Sequence, residues 1–216
     1  MHVIDLETWP RRKHFAVYAA MDYPHFGLCA NVDISRFQPW ARQRGLPFTV
    51  ALVYALARAA NQLTPFRYRI RAGQVVEHEV IHPSSTVLTD DDLFSFCTIP
   101  YGATWAEFAA SAERCIAQAR ANPTLEDEPG QDDLLFMSGI PWVSFTSMVH
   151  PIHMHPADSV PRLSWGKFFA DGQRLKLPLA VQVHHALMDG IHVGRFYQLV
   201  QDLLDQPEAL YGDPQP

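Results

Sequence analysis

The segment Gln182-Val183-His184-His185-Ala186-Leu187-Met188-Asp189-Gly190 joins two different sequence patterns and carries two adjacent histidines and an aspartate. Before it, from residue 179 to 183, apolar residues alternate with small or polar ones, as in a half-buried strand. After it, apolar residues recur at helical spacing, namely Val193, Phe196, Tyr197, Val200, Leu203 and Leu204. The sequence therefore predicts that His185 stands where a strand stops and that Asp189-Gly190 opens a helix.

His185 is the candidate proton-transfer residue of this segment. Imidazole has a reference pKa of about 6.5, so it readily takes or gives a proton near neutral pH. A loop histidine needs a second interaction to fix its ring, and Asp189 can anchor the loop ionically. Alternatively, His185 is a hydrogen-bonded core histidine and Asp189 only caps the next helix. Strand alternation predicts that His184 points to the opposite face as a packed or polar-network residue.

The segment resembles the HHxxxDG motif of the chloramphenicol acetyltransferase family, and further blocks extend the resemblance over nearly the whole chain. Residues 9–15 are similar to the opening W-x-R-[KR]-x-H-F block of the family. Residues 141–147 match its P-W-V-x-F-x-S block, and residues 165–168 fall where the family has G-K-Y. Dihydrolipoyl acyltransferase cores and peptide-synthetase condensation domains share the HHxxxDG region. The length of 216 residues favours the short acetyltransferase.

The composition predicts a single domain over residues 1–216, because 48% hydrophobic content in a chain of this length can bury a sizeable core. Strands and helices are interspersed without strict βαβ alternation. This order favours an α/β fold with two layers, in which helices pack on one face of a mixed β-sheet. The resemblance implies the same chloramphenicol acetyltransferase-like fold.

Several local patterns predict individual elements. A helix is expected over residues 49–63, and a hairpin around Ala72-Gly73-Gln74. Thr104 and Glu107 form a capping-box pattern at the start of a further helix. A strand region is expected over residues 136–148. The alternating arginines Arg67, Arg69 and Arg71 are interpreted as a solvated strand edge.

The resemblance implies the roles of four residues. His185 would be the general base that takes the proton of an acceptor hydroxyl as its oxygen attacks acetyl-CoA. Ser147 matches the position whose hydroxyl stabilises the oxyanion, although a serine in such a segment can also simply face solvent. Asp189 and Arg11 match an ion pair that fixes the histidine loop. The alternative is a triad in which Asp189 bonds directly to His185, whereas in the resembling enzymes the ring is oriented by its own backbone carbonyl.

The resemblance also implies a substrate site for chloramphenicol and acetyl-CoA, with acetyl-CoA as a co-substrate and no tightly bound cofactor. Tyr18 and Phe94 match aromatic positions that contact the antibiotic, and Phe96 lies in a segment that forms its pocket. Ser164 takes the place of a threonine that holds an ordered water near the intermediate. Phe168 stands at a tyrosine position near CoA.

The resemblance implies a homotrimer with active sites at the subunit interfaces. A net charge of -6 and the absence of a basic run argue against a nucleic-acid partner. The chain has no run of 18 apolar residues and no basic N-terminal segment followed by an apolar run, so we expect no membrane partner and a cytoplasmic protein. Two other functions remain open: transfer to a different small alcohol or a carrier thiol, and non-catalytic binding of CoA or the antibiotic.

Metal and thiol chemistry are not expected. The three cysteines, Cys29, Cys97 and Cys115, are widely spaced and form no CxxC pair, so free thiols are predicted. Three histidines, His150, His153 and His155, crowd one loop that contains two prolines and offers no clear fourth ligand. We interpret them as solvated loop residues and expect no metal site.

Overall fold

The computed structural model describes residues 1–212, so the last four residues of the predicted domain 1–216 lie outside the described part. Its α-helices are α1 (Arg12–Ala19), α2 (Phe37–Gln43), α3 (Phe48–Gln62), α4 (Trp105–Ala121), α5 (Gly190–Asp205) and α6 (Pro207–Tyr211). Its strands are β1 (His2–Val3), β2 (His25–Asp33), β3 (Tyr68–Arg71), β4 (Gln74–Glu77), β5 (His82–Leu88), β6 (Phe94–Thr98), β7 (Leu134–Ile140), β8 (Arg162–Gly166), β9 (Phe169–Asp171) and β10 (Arg174–His184). Short 3-10 turns cover Thr64–Arg67 and Asp90–Asp92.

The main sheet has the strand order β2-β10-β8-β7-β5-β6, and β9 pairs with the first residues of β10. Strand β7 runs parallel to β5 and β8, whereas β10 runs antiparallel to β2 and β8. A second sheet has the order β1-β4-β3. The mixed sheet of the predicted α/β fold is therefore confirmed.

The core lies between one face of the main sheet and helices α3, α4 and α5. Helix α3 is the centre of this layer, and nine of its residues are buried, from Ala51 to Ala60. They pack in the same cluster as Leu163, Val181 and Val183 of the sheet. Because these strand residues alternate along β8 and β10, they all face the helices. The predicted packing of helices on one face is confirmed.

The opposite face of the main sheet is rich in hydroxyl groups and histidines. Ser164 of β8 lies in register with Ser138 of β7 and with Ala180 of β10. Ser138 Oγ lies 3.3 Å from Thr86 Oγ1 of β5, so a row of small hydroxyl side chains crosses the sheet. The segment of residues 141–161, which links β7 to β8, contacts this face through His150.

The predicted strand over residues 136–148 is wrong in its second half. Strand β7 ends at Ile140, and residues 141–153 form no strand. Pro141 has no N–H to give to a strand ladder, and the backbone turns there, with the Val143 N–H donating to Ile140 O. The helix predicted at residues 49–63 is confirmed within one residue. So is the capping box of α4, in which Thr104 and Glu107 exchange hydrogen bonds.

The interpretation of Arg67, Arg69 and Arg71 as a solvated edge is wrong. Arg69 has no exposed surface, and its guanidinium donates to backbone carbonyls, including those of Asp132 and Leu134. These carbonyls replace the water that the side chain would otherwise need. Arg67 pairs with Glu77, and Arg71 pairs with Asp132. A loop from another part of the chain thus closes this edge, which no local pattern reveals.

Candidate active site

The histidine loop lies at the predicted junction between a strand and a helix. Strand β10 ends at His184, and α5 begins at Gly190 with Asp189 as its N-cap. The backbone N–H of His185 donates to Pro24 O at 2.7 Å, just before β2 begins. The backbone N–H of Asp189 donates to Nδ1 of His192 at 2.9 Å. These bonds hold both ends of the loop against its neighbours.

Arg11, the residue before α1, closes the loop from outside. Its guanidinium makes a bidentate contact with Asp189, in which Nη2 donates to Oδ1 at 3.0 Å and Nη1 donates to Oδ2. Nη2 also donates to the carbonyl oxygen of His185 at 3.0 Å. The Arg11 side chain is 13% exposed. Hydrogen bonds from Arg11 hold the pKa of Asp189 below its ordinary value, so this carboxylate stays ionised.

The ring of His185 lies between two aromatic side chains. It stacks on Tyr18 with ring centroids 3.8 Å apart and planes 5° apart, and Phe26 of β2 lies at 4.6 Å. No motif in the sequence assigned a role to Phe26. The only signal that could have suggested one is its position on β2, the strand that pairs with β10. The two rings fix the plane of the imidazole, which leaves 27% of the side chain exposed.

The two nitrogens of His185 have different surroundings. Nδ1 is buried and lies 3.3 Å from Asp189 Oδ1, yet it makes no hydrogen bond within residues 1–212. Nδ1 therefore bonds neither to the Asp189 carboxylate, as a triad would require, nor to the backbone carbonyl oxygen of His185. The carboxylate of Asp189 is already engaged by Arg11, as is the His185 carbonyl. Because Nδ1 is enclosed, Nε2 is the ring nitrogen that can meet a ligand.

His184 is a buried polar-network residue, as predicted. It is 3% exposed, its Nδ1 accepts from the backbone N–H of Ala186 at 3.2 Å, and its ring lies 4.9 Å from that of His25. His25 donates through Nε2 to the carbonyl oxygen of Asp158 at 2.6 Å. Burial lowers the pKa of His184 to about 4, and repulsion from His25 adds to the effect.

Ser147 lies in the segment of residues 141–161, without regular secondary structure and exposed. Its hydroxyl has no hydrogen-bond partner within the described part of the chain. Exposed apolar side chains surround it in sequence: Trp142 is 67% exposed, Val143 56% and Val149 70%. The structure of one chain therefore does not join Ser147 to His185 by any described contact.

Phe94 and Phe96 lie on β6, with ring centroids 6.0 Å apart. Strands β8, β7 and β5 separate β6 from β10, which bears the histidine loop. Four strand spacings correspond to roughly 19 Å, so neither phenylalanine reaches His185 of its own chain. Of the predicted site residues, the structure thus brings together Arg11, Tyr18, His185 and Asp189. The others lie elsewhere: Phe94, Phe96 and Ser164 on strands of the main sheet, and Ser147 and Phe168 in segments between strands.

A cavity of about 1200 Å³ lies between α4 and the ends of β5 and β7. Its walls are mostly apolar and include Phe94, Ala109 and Trp142, and Thr86 and Ser138 also line it. Arg120 supplies a positive charge at this cavity. Phe168 packs 5.9 Å from Phe48, whose chain neighbours Pro47 and Thr49 also line the cavity.

His150 departs from the expected solvated state. It is partly buried, and its Nε2 lies 2.9 Å from Oγ of the fully buried Ser164. His153 and His155 are exposed, as predicted. Within residues 1–212 no group of three or more histidine, cysteine or acidic side chains is placed to hold a metal ion. The sequence offered only the histidine itself as a signal for the contact with Ser164.

The three cysteines are free, as predicted. Burial raises the pKa of Cys97 to about 11, so this thiol is protonated at neutral pH and is a poor nucleophile. No helix in residues 1–212 combines the length and apolarity needed to cross a membrane.

Comparisons with known proteins identify the family of the chain. Residues 1–201 match the family model of chloramphenicol acetyltransferase. Chloramphenicol acetyltransferase 2 of Escherichia coli is 31% identical over 204 residues, which cover 94% of this chain and 96% of that protein. A solved structure of a chloramphenicol acetyltransferase superposes with a TM-score of 0.85 at 27% identity, covering 94% of this chain and 99% of the other.

A dihydrolipoamide acetyltransferase of Azotobacter vinelandii superposes with a TM-score of 0.67 at 21% identity, covering 92% of this chain and 88% of the other. At that identity the likeness shows a shared fold alone. The fold and the histidine loop thus define an HHxxxDG-type α/β protein. Together with the family match over most of its length, they show that the chain belongs to the chloramphenicol acetyltransferase family.

Proposed function

We propose that this protein transfers the acetyl group of acetyl-CoA to a hydroxyl group of chloramphenicol and so inactivates the antibiotic. The family membership supports the reaction class. The observation that carries the mechanism is the enclosed Nδ1 of His185, which leaves Nε2 as the nitrogen that can face a substrate. The proposal keeps the cytoplasmic location predicted from the sequence.

His185 acts as the general base. A thioester is already an activated acyl donor, but an alcohol with a pKa far above 7 is a poor nucleophile. Nε2 takes the hydroxyl proton as the alcohol oxygen forms a bond to the acetyl carbonyl carbon, a role typically worth ~10² to 10⁴ in rate. When the tetrahedral intermediate collapses, the C–S bond breaks and the proton passes to the CoA sulfur. No covalent enzyme intermediate is needed.

Ser147 donates to the oxyanion of that intermediate. Its hydroxyl is exposed and has no partner within residues 1–212, so it is free to donate. A donor of this kind is commonly worth about 3 kcal/mol. Ser164, buried on β8, is expected to hold an ordered water near the intermediate.

A second copy of the chain completes the site. Phe94 and Phe96, which are expected to contact the antibiotic, lie roughly 19 Å from His185 of the same chain. Exposed apolar residues on the Ser147 segment supply a surface that a neighbouring copy can cover. We therefore propose a homotrimer in which each active site combines the histidine loop of one subunit with the serine segment and β6 of its neighbour.

The cavity beside α4 fits the long arm of acetyl-CoA. Its apolar walls suit a pantetheine chain, and Arg120 offers a cation for a phosphate group. Phe168 stands near its α3 end through its contact with Phe48. Acetyl-CoA is a co-substrate in this proposal, and no tightly bound cofactor takes part.

The test is a thiol-release assay with acetyl-CoA, run with chloramphenicol and with a panel of small alcohols and dihydrolipoamide. We expect release with chloramphenicol, and a fall of about 10²- to 10⁴-fold in His185→Ala without unfolding. His153→Ala, which alters an exposed histidine, is the matched control. Release only with another acceptor would contradict the choice of chloramphenicol. Tight binding of acetyl-CoA without any release would instead identify a non-catalytic homologue.

A further inference from the structure

The sheet face opposite helices α3, α4 and α5 is contacted by a histidine, His150, for which the proposed mechanism has no role. His150 Nε2 lies 2.9 Å from Ser164 Oγ, and this is the only hydrogen bond of that hydroxyl within residues 1–212. Ser164 has no exposed surface, so its hydroxyl cannot exchange partners freely with bulk water. The direction of its single proton is therefore set by its immediate neighbours.

The backbone of His150 is held independently of this contact. Its N–H donates to Oε1 of Gln182 on β10 at 2.8 Å. Nε2 of Gln182 in turn donates to the hydroxyl oxygen of Tyr23 at 3.2 Å. The segment of residues 141–161 is thus attached to the sheet by a main-chain bond, and the ring of His150 is not needed as the attachment.

The ring of His150 is neutral at neutral pH. Burial lowers its pKa to about 4, and the positive charge of Arg162 lowers it further. A neutral imidazole carries one N–H, so Nε2 is either a donor or an acceptor. If Nε2 accepts, the only proton of the Ser164 hydroxyl is spent on the ring. If Nε2 donates, that proton is left for another partner.

The position of Ser164 in the sheet indicates where that partner lies. Ser138, its in-register neighbour on β7, lines the large cavity together with Thr86. Ser138 Oγ and Thr86 Oγ1 are 3.3 Å apart. Ser164 therefore lies beside a row of hydroxyl side chains whose residues, Ser138 and Thr86, also line the cavity.

We propose that His150 is a positioning residue for Ser164: its Nε2–H donates to Oγ and so directs the serine proton toward the acyl-transfer cleft. The inference rests on the proposed function, because acyl transfer needs donors where negative charge develops. It adds a residue that acts on the reaction through another side chain. His150 itself touches neither substrate in this account.

Kinetics of paired variants test the role. His150→Phe is expected to lower kcat about 10-fold with the KM for acetyl-CoA unchanged, which is the effect of losing one oriented hydrogen bond. His150→Gln retains an N–H donor and should recover most of kcat. In a Ser164→Ala background, His150→Phe should cause no further loss, because the two residues act as a unit. His153→Phe, on the same segment but exposed, should match the wild type.

Equal losses from His150→Phe with and without Ser164 would show a role in attaching the segment and would overturn the proposal. So would a Gln variant no better than the Phe variant. Nitrogen NMR of the His150 ring in the unmodified protein gives a result that needs no turnover. We expect a protonated Nε2, and a bare Nε2 would refute the proposal. If the protein acetylates none of the alcohols, the proposed function fails, while the NMR result still decides the tautomer.

Discussion

The histidine loop and the serine segment lie near the same sheet but are held in opposite ways. Residues 185–189 are fixed by Arg11, by the Pro24 carbonyl and by two stacked or tilted aromatic rings. Residues 141–149 carry exposed side chains without regular secondary structure, and Trp142 is 67% exposed. One region is complete within a single chain. The other, in our proposal, forms part of a complete site only against a second copy.

This difference predicts which properties a substitution in each region should change. A change in the histidine loop alters interactions inside one chain, so it should affect stability and activity together. A change in the serine segment leaves the isolated chain intact, so it should affect activity or assembly while the fold persists. The following predictions test this contrast, starting with the largest expected effect.

Loss of the loop anchor should have the largest combined effect. Arg11→Met leaves the Asp189 carboxylate and the His185 carbonyl without their donor. We expect a loss of about 2–4 kcal/mol in the free energy of unfolding, because both acceptors are partly buried. Asp189→Asn should likewise lower the melting temperature and kcat together. Urea unfolding and the thiol-release assay measure the two effects.

The neighbouring Arg12 provides the matched control for this anchor. It pairs with Glu7 on the surface, where the two side chains are 50% and 82% exposed. Arg12→Met should change the free energy of unfolding by less than about 1 kcal/mol. Activity lost from Asp189→Asn at an unchanged melting temperature would contradict the structural role and favour a direct bond between Asp189 and His185.

Ser147→Ala should give the opposite result, a large loss of activity at constant stability. Removing an oxyanion donor is expected to lower kcat by about 10²- to 10³-fold. The melting temperature should hold because the hydroxyl makes no hydrogen bond within residues 1–212. Ser144→Ala is the comparison, since its hydroxyl already donates to the Lys167 carbonyl at 2.6 Å. A similar loss of kcat from both variants would argue against a specific role for Ser147.

Val149→Asp should separate assembly from folding. This residue is 70% exposed in the chain, and in the proposed trimer a neighbour covers its segment. A charge there would be desolvated in the interface, so the affinity between subunits should fall by at least about 10-fold. The fraction of trimer in size-exclusion chromatography and the activity should fall in parallel. Val3→Asp, on β1 of the small sheet, is the control that should remain trimeric.

The pH dependence of stability should reveal the buried histidines behind the loop. The pKa of His184 is lowered to about 4 by burial, whereas an unfolded histidine has a pKa of about 6.5. The unfolded chain therefore binds a proton first, so stability is full above pH ~6.5 and falls as the pH drops toward 4, with a slope of at most about 1.4 kcal/mol per pH unit.

His184→Asn should make this slope shallower, whereas His153→Asn, which changes an exposed histidine, should leave it unchanged. Urea unfolding at several pH values between 7 and 4 provides the measurement. An unaltered slope in His184→Asn would mean that the pKa of this histidine is not lowered in the folded chain.

The elements predicted correctly from the sequence are those that depend on neighbours along the chain. The helical spacing of α3, the capping box at Thr104 and the junction at His185 are local patterns, and the structure reproduces them. The errors have a different origin. Arg69 is buried by carbonyls from residues 132 and 134, and residues 141–148 form no strand within the chain.

The contacts of the candidate site divide along the same line. The Arg11–Asp189 pair joins residues far apart in sequence, and only the family resemblance made it predictable. The bond between His150 and Ser164 and the stacking of Tyr18 on His185 depend on how distant strands and loops meet. Periodicity carries no information on such contacts, because it reports one element at a time.

Mixing two inactive variants tests most directly whether two copies share each site. His185→Ala and Ser147→Ala chains are co-expressed and purified as mixed oligomers, and thiol release is compared with that of each variant alone. Random mixing should restore about one quarter of the sites, since a subunit with an intact histidine then meets a neighbour with an intact serine. Mixed oligomers no more active than the separate variants would contradict a shared site.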